Sequence, residues 1–250
     1  MGTVSHIVVP FMLVLARVSG LFAVLPIFGW LSAPVRVRAG LALMISIVFA
    51  SVLPAGAPAA GGHWLAVGVL LVREVATGVA LGLAVALAFG AVRQTGLIIK
   101  RQMGLAVAQE IDPMTGEQSQ PVGLLMEMCF AVFFLAAGGH RLMLRLVARS
   151  YEVFPIGQGP TAAAMTEAVM DAGVVMLTFA LKLAAPMVGA FLVLAVALAI
   201  LARILPEMNI LMASLPLRVG LGLFVAAAIM PSLQAFTVEL GDWLNRFLVT

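Results

Sequence analysis

The sequence predicts an all-α integral membrane protein of about six hydrophobic, proline-kinked helices in a hairpin-like arrangement. Hydrophobic residues make up 63% of the 250 residues and charged residues only 10%. Soluble domains are about 45–50% apolar and about 25% charged. The apolar residues are also grouped in runs of about 20, the length that an α-helix needs to cross a bilayer. We therefore expect residues 1–250 to form a single membrane domain.

Three apolar segments come first, at residues 7–28, 39–59 and 64–92. Arg17 lies near the middle of the first segment, and Pro54 breaks the second. The third segment carries Arg73 and Glu74. Like the fifth segment, residues 169–201, it is longer than a bilayer needs, so we expect both to tilt, kink or protrude.

Three further segments follow a polar loop, at residues 122–137, 169–201 and 215–238. A basic amphipathic stretch, residues 140–149, continues from the fourth segment. Lys182 and Pro186 interrupt the fifth segment, Pro216 bounds the sixth, and Pro231 lies within it. The backbone groups freed at such breaks must be satisfied by protein or water and not by lipid. These breaks favour a buried subunit of a larger complex over a monomer surrounded by lipid.

Gly78 and Gly82 are four residues apart in the third segment. Small residues at this spacing lie on one face of a helix and let a second helix approach closely. We expect a close helix contact at this face.

Five ionisable residues lie inside the apolar segments and away from the segment ends: Arg17, Arg73, Glu74, Glu127 and Lys182. Each would cost about 2.5–3.5 kcal/mol at the centre of a membrane helix, so such residues are normally paired. Arg73 and Glu74 are adjacent and point in different directions on a helix, so each needs a partner elsewhere. Two interpretations remain open. The charges pair within the chain and fix the helix register, or they contact neighbouring subunits or an aqueous channel.

Residues 104–121, GLAVAQEIDPMTGEQSQP, form a polar loop between the third and fourth segments. Pro113 and Gly116 favour turns. The loop has three acidic residues and no Lys or Arg: Glu110, Asp112 and Glu117. Loops of this length in compact proteins are usually functional or disordered. It is either a solvated connection between two membrane helices or a loop that folds into a cavity or pore and gates it.

The residues do not predict an enzyme, a cofactor or a metal site. The sequence has no G-x-S-x-G, H-E-x-x-H or Walker A motif and no Cys/His cluster. The single cysteine, Cys129, lies in an apolar run and is expected to serve packing. His140 with Glu127 could be imagined as an acid–base pair, but a His at the end of an apolar helix is more often interfacial. The net charge of +3 is spread along the chain, so it does not predict nucleic-acid binding.

A series of short motifs extends in order along nearly the whole chain. They are RVSG at 17–20, PIFG at 26–29, RAGLAL at 38–43, RE at 73–74, GLAVA at 104–108, DP at 112–113, GGH at 138–140, FPIG at 154–157, AR at 202–203, PEMNI at 206–210 and PL at 216–217. In this order and spacing they resemble the FliR/SctT family. The members of that family are membrane subunits of the type III protein export apparatus of bacterial flagella and injectisomes.

The resemblance implies a subunit of a helical, hetero-oligomeric export gate in the bacterial inner membrane, at the flagellar basal body. Such a subunit would join FliP-like and FliQ-like pore subunits, a FlhB-like switch protein and a FlhA-like export protein. One copy would close a ring of several FliP-like copies. The subunit would contact membrane lipid and the unfolded protein substrates that pass through the gate.

The family's central loop projects into the pore as a plug. Carried onto this sequence, the plug comprises Gly104, Gln109, Glu110, Asp112, Pro113, Met114, Gly116, Glu117 and Pro121. It would block the leakage of ions until an unfolded substrate displaced it. We also expect the five intramembrane charges to hold the subunit to its neighbours.

A stand-alone carrier for a small solute is the alternative from another class. It would use Arg73, Glu74 and Lys182 as its binding site. Such a carrier would be self-sufficient and built from inverted repeats, and the sequence shows no convincing internal repeat.

Overall fold

The computed structural model describes residues 2–26, 34–53, 64–104, 121–205 and 210–247. Regular structure within these ranges is entirely helical, which confirms the predicted all-α class. The ranges contain seven helices: α1 (Gly2–Val24), α2 (Val35–Val52), α3 (Trp64–Gln102), α4 (Pro121–Ala136), α5 (Gly139–Val153), α6 (Ala162–Ile204) and α7 (Ile210–Phe247).

Four of these helices, α2, α3, α6 and α7, are long and apolar enough to cross a membrane. A fifth span results if α4 and α5 act together as one broken span. α3 has 39 residues and α6 has 43. At about 1.5 Å per residue α6 is about 65 Å long, roughly twice the hydrocarbon thickness of a bilayer. The predicted excess length of the third and fifth segments is confirmed.

Proline and lysine do not interrupt the last two helices. α6 continues through Lys182 and Pro186, and α7 continues through Pro216 and Pro231. The predicted interruption of the fifth segment and the predicted boundary at Pro216 are therefore wrong. A proline removes one backbone hydrogen bond from a helix, but the long helical sequence on both sides keeps the remainder. Pro54 lies outside the described residues.

A new helix begins where the sequence predicted a continuation. α4 ends at Ala136, and α5 begins at Gly139. Between them Gly138 has a φ of 83°, a left-handed backbone conformation that residues other than glycine rarely adopt. The left-handed residue ends the helical path, so residues 140–149 belong to a separate helix.

The first of two compact units comprises Met1–Ala88, Gly138–Val174 and Leu240–Thr250. In it α1 packs against α2 and α3. A Cβ atom on Gly78 of α3 would collide with the backbone carbonyl oxygen of Arg17, and one on Gly82 would lie 2.8 Å from the carbonyl oxygen of Leu21. This confirms the close helix contact that the Gly78 and Gly82 pair predicted.

The second compact unit comprises Phe89–Ala137 and Val175–Glu239. Phenylalanine rings from four helices contact one another in its core. The ring of Phe89 meets that of Phe130 edge to face at 4.8 Å, and Phe130 stacks on Phe236 at 5.3 Å. Phe236 in turn lies 4.8 Å from Phe179. Such ring pairs add to the stabilisation from burying the aromatic surface.

Candidate functional site

Arg17 lies in the middle of α1 and is completely buried in the first unit. Its Nε donates to Glu74 Oε2 at 2.5 Å. One terminal nitrogen donates to the backbone and hydroxyl oxygens of Ser150, both at 3.1 Å, and the other donates to the Phe154 carbonyl at 3.0 Å. The guanidinium also lies over the Tyr151 ring, 4.0 Å from its centroid. A buried guanidinium is tolerated only with such partners.

The second oxygen of the Glu74 carboxylate binds a turn between α5 and α6. Gln158 N–H donates to the Pro155 carbonyl, and Gly157 in this turn has a φ of 81°. That conformation is typical of the third residue of a type II turn and favours glycine. The Gly157 N–H donates to Glu74 Oε1 at 2.7 Å. Both oxygens of the buried carboxylate are therefore hydrogen-bonded.

Arg73 points away from this pair, as its position next to Glu74 predicted. It is exposed, and its terminal nitrogen donates to the Gly159 carbonyl at 2.8 Å. Gly159 also packs closely on α3, since a Cβ atom there would lie 3.0 Å from the hydroxyl of Thr77. Arg73 and Glu74 thus hold the same connection at two points.

We call Arg17, Glu74, Ser150, Phe154 and Gly157 the buried charge cluster. It joins the middle of α1, the first half of α3 and the connection from α5 to α6. Arg17 and Glu74 therefore follow the first interpretation, which is pairing within the chain. Contacts of the intramembrane charges with neighbouring subunits stay a prediction, for which the exposed Arg73 and Lys182 are the most accessible residues.

The other two intramembrane charges lie in the second unit. Glu127 of α4 is buried, and its Oε2 lies 3.8 Å from Nε of Arg93, whose side chain is about half exposed. Lys182 of α6 is exposed, with its Nζ 5.1 Å from the Phe179 ring centroid. Glu127 is thus engaged with a cation, and Lys182 stands on an exposed face of its helix.

The helix ends that flank the polar loop are well packed within the second unit. Met103, at the end of α3, is buried, and a Cβ atom on Gly222 of α7 would lie 2.5 Å from Met103 Cγ. Near the start of α4, Gly123 is so close to α3 that a Cβ atom on Gly96 would collide with its Cα. Gly104 follows Met103 with a φ of 76°, which turns the chain out of the helix.

The predicted plug residues are placed only at the ends of the loop. Gly104 closes α3 with a hydrogen bond from its N–H to the Arg101 carbonyl, and Pro121 begins α4. The remaining seven lie outside the described residues: Gln109, Glu110, Asp112, Pro113, Met114, Gly116 and Glu117. Their role as a plug stays a prediction.

Sequence reasoning missed the partners that complete the buried charge cluster. Ser150 and Tyr151 are polar residues on the buried face of the amphipathic helix α5. Polar side chains on an otherwise apolar face could have indicated a buried polar partner. The Gly157 N–H and the Phe154 carbonyl are backbone groups, which no side-chain pattern shows. Both lie within the FPIG motif, so its glycine now has a structural reason.

The described residues contain no group of three or more His, Cys, Asp and Glu side chains that could hold a metal. Glu127 forms an ion pair with Arg93, and an acid–base role would require its carboxylate to leave that pair. The carrier site imagined at Arg73 and Glu74 competes with the bonds of both residues to the connection between α5 and α6. The arrangement in both units is suited to holding helices together.

Comparison with known proteins gives one family and a consistent set of relatives. The family described as bacterial export proteins, family 1, matches residues 8–242. The flagellar biosynthetic protein FliR of Escherichia coli K12 is 34% identical over 229 residues, which is 90% of this chain and 86% of that protein. FliR of Bacillus subtilis is 28% identical over 88% of this chain and 85% of its own length. The Yop proteins translocation protein T of Yersinia pestis is 26% identical over 60% of this chain and 58% of its own.

Proposed function

The chain belongs to family 1 of the bacterial export proteins, and from this premise we propose that it is a non-enzymatic subunit of a type III protein export gate. In this role it helps to form and close the pore through which unfolded proteins cross the inner membrane. The observation that carries the proposal is the polar loop, whose two ends are packed within one unit. Its long apolar helices support a place in a membrane.

A flagellar system fits the relatives better than an injectisome. The flagellar proteins named FliR match 88–90% of this chain in Escherichia coli and Bacillus subtilis. The Yersinia translocation protein matches 60%. The proposed location is therefore the inner membrane at the flagellar basal body, and the proposed substrates are unfolded flagellar proteins.

The anchoring of the loop suits a plug. Gly96 and Gly123 bring α3 and α4 into backbone contact near the two ends of the loop, and Met103 is fixed against α7. Displacement of the loop would then leave the contact between the two flanking helices in place. Its acidic residues and turn sequences suit a water-filled lumen better than lipid, and opening such a loop costs little free energy.

Exposed apolar surface supports assembly with other membrane subunits. α2 exposes Val35, Met44 and Val52, and α6 exposes Leu192 and other aliphatic side chains along its length. Lipid or apolar helices of neighbouring chains must cover these faces. We propose FliP-like and FliQ-like pore subunits as those neighbours, with FlhB-like and FlhA-like proteins completing the apparatus.

The assembly is tested first by native mass of the full chain, expressed alone and with its FliP-like and FliQ-like neighbours. The expected result is a defined hetero-oligomer that contains one copy of this chain. A stable monomer or homodimer that ignores those partners would contradict the export-gate role.

The plug is tested by deleting residues 109–120 in the assembled gate and measuring ion leakage across the membrane. Leakage should rise while the subunit composition of the complex, read from its native mass, stays unchanged. A matched control replaces the same twelve residues with a Gly/Ser sequence of equal length, which separates loop length from loop sequence. Unchanged leakage in an intact deletion complex would refute the plug while leaving the assembly role standing.

A further inference from the structure

The outer side of α5 and the end of α7 form an open pocket of about 310 Å³ in the first unit. Arg145, Arg149 and Glu152 of α5 line it together with aliphatic side chains. None of these three residues belongs to the buried charge cluster or to the polar loop. The pocket is therefore distinct from the buried charge cluster and from the polar loop.

The charges of the pocket favour an anion. Arg145 and Arg149 are one helical turn apart, so their side chains lie on the same face of α5. Guanidinium groups bind phosphate oxygens through paired N–H donors and are less strongly hydrated than an ammonium group. The carboxylate of Glu152 opposes them, and the three charges together leave the pocket with a net positive charge of one.

The remaining lining is apolar. Leu146 and Leu244 are buried, and Leu142 is half-buried. A site that joins two guanidinium groups to three leucines fits an amphiphile better than a free inorganic anion. A phosphate would meet the arginines, and the adjoining glycerol and acyl carbons would meet the leucines.

The position of the pocket also favours a lipid. Leu244, which lines the pocket, belongs to α7, a helix long and apolar enough to cross a membrane. Trp243 precedes that residue, and tryptophan is enriched at membrane interfaces. α5 is strongly amphipathic, and basic amphipathic helices lie at the headgroup level of bilayers. Basic pockets between membrane helices bind anionic headgroups.

We propose that this pocket binds the phosphate headgroup of an anionic phospholipid, with Arg145 and Arg149 as its ligands. An acidic segment of a neighbouring subunit is the competing occupant. The lipid is favoured because aliphatic side chains of the lining and a candidate membrane helix adjoin the two arginines. The same arginines lie on the helix that departs most from the apolar character of the chain.

The test uses the full chain with its export partners, purified in detergent and depleted of lipid. Native mass spectrometry then counts bound lipid during titration with phosphatidylglycerol or, separately, phosphatidylcholine. Each basic residue near an anionic headgroup contributes about fivefold in affinity. Arg145→Gln with Arg149→Gln should therefore weaken phosphatidylglycerol binding about thirtyfold. Glu152→Gln should strengthen it, because it removes the opposing charge.

Arg141→Gln is the matched control, since it removes one charge from the same helix but not from the lining of the pocket. Its phosphatidylglycerol affinity should stay within about twofold of the wild type. Arg145→Gln and Arg149→Gln are also measured singly. If Arg141→Gln weakened phosphatidylglycerol binding as much as either of them, the proposal would be overturned in favour of diffuse electrostatic attraction. Displacement of the lipid by millimolar inorganic phosphate would overturn it in favour of a free-anion site. The pocket would instead be assigned to an acidic protein segment if two results coincided. The wild-type complex would take up no phosphatidylglycerol during the titration, and the double variant would lose partner subunits.

Discussion

Arg17 and Glu74, 57 residues apart in the chain, form an ion pair whose side chains are 0% and 1% exposed. Removing two charges from water costs several kcal/mol per ion, and their attraction offsets this only when the remaining polar atoms are also bonded. Ser150, Phe154 and Gly157 provide those bonds. The pair therefore fixes the register of α1 against α3 and holds the connection that begins α6.

Glu74→Ala should strongly destabilise the protein, because it leaves the Arg17 guanidinium buried without its counter-ion. The expected loss is about 3–5 kcal/mol of unfolding free energy, the range for breaking a buried pair on one side. The measurement is the thermal unfolding midpoint in detergent, together with the fraction of monodisperse protein on gel filtration. An unchanged midpoint and intact assembly would show that the pair does not hold the unit together.

Two variants separate the charge effect from general damage at this site. Arg17→Met combined with Glu74→Leu should be less destabilised than Glu74→Ala alone, because it leaves no unpaired charge in the interior. Arg73→Ala removes an exposed arginine with one hydrogen bond to Gly159 and should cost only about 0.5–1.5 kcal/mol. If Arg73→Ala were as harmful as Glu74→Ala, burial of the charge would not be the cause.

Gly78→Ala should disrupt the contact of α1 with α3. The added Cβ would collide with the backbone oxygen of Arg17, so the helices must move apart, at a cost of about 1–3 kcal/mol. Gly68→Ala is the matched control on the same helix, where an added Cβ atom would meet no neighbouring atom within 4 Å beyond its own helix backbone. It should stabilise the helix by up to about 1 kcal/mol. The two thermal midpoints should thus shift in opposite directions, and a shared direction would contradict the close approach.

The sequence was sufficient to predict which residues needed partners but not which partners they would find. The divergence of Arg73 and Glu74 follows from the helical repeat of 3.6 residues alone. The choice of Arg17 for Glu74 depends on how α1 lies against α3, and no local pattern encodes a contact across 57 residues. Gly78 and Gly82 indicated that two helices meet, but not that Arg17 would lie at the crossing.

The errors at the prolines have a similar origin. Propensity treats Pro186 and Pro216 as helix ends because each removes a backbone donor. In long apolar helices the alternative to helix is exposed backbone in an apolar environment, which costs more than one missing hydrogen bond. The break at Gly138 depended instead on a left-handed φ, and glycine permits that conformation without requiring it.

Gly96→Ala and Gly222→Ala should differ although both place a Cβ less than 3 Å from another atom. A Cβ atom on Gly96 would lie 2.9 Å from the backbone nitrogen of Gly123. A Cβ atom on Gly222 would instead meet the side chain of Met103. A buried methionine side chain can repack more readily than two helix backbones can separate. Gly96→Ala should therefore lower the thermal midpoint more than Gly222→Ala, which displaces the buried Met103 side chain.

Gly90→Ala on the same helix serves as the control for this pair, because a Cβ atom at Gly90 would meet no neighbouring atom within 4 Å beyond its own helix backbone. If the loop closes the pore as proposed, Gly96→Ala should also raise ion leakage in the assembled gate, since it disturbs the helices that carry both ends of the loop. Equal shifts at Gly96 and Gly222 would show that the close backbone contact does not limit stability.

Lys182→Met should separate folding from assembly. Lys182 is exposed on α6, and its described contact is with the Phe179 ring at 5.1 Å. Such a contact at an exposed site contributes about 0.5–1 kcal/mol, so the thermal midpoint of the chain expressed alone should change little. If Lys182 meets a carboxylate of a neighbouring subunit, the same change should reduce the yield of hetero-oligomer measured by native mass. Lys182→Arg keeps the charge and should restore much of that yield. Full assembly of Lys182→Met would remove this residue from the interface, because a desolvated partner carboxylate left without its cation would destabilise the complex.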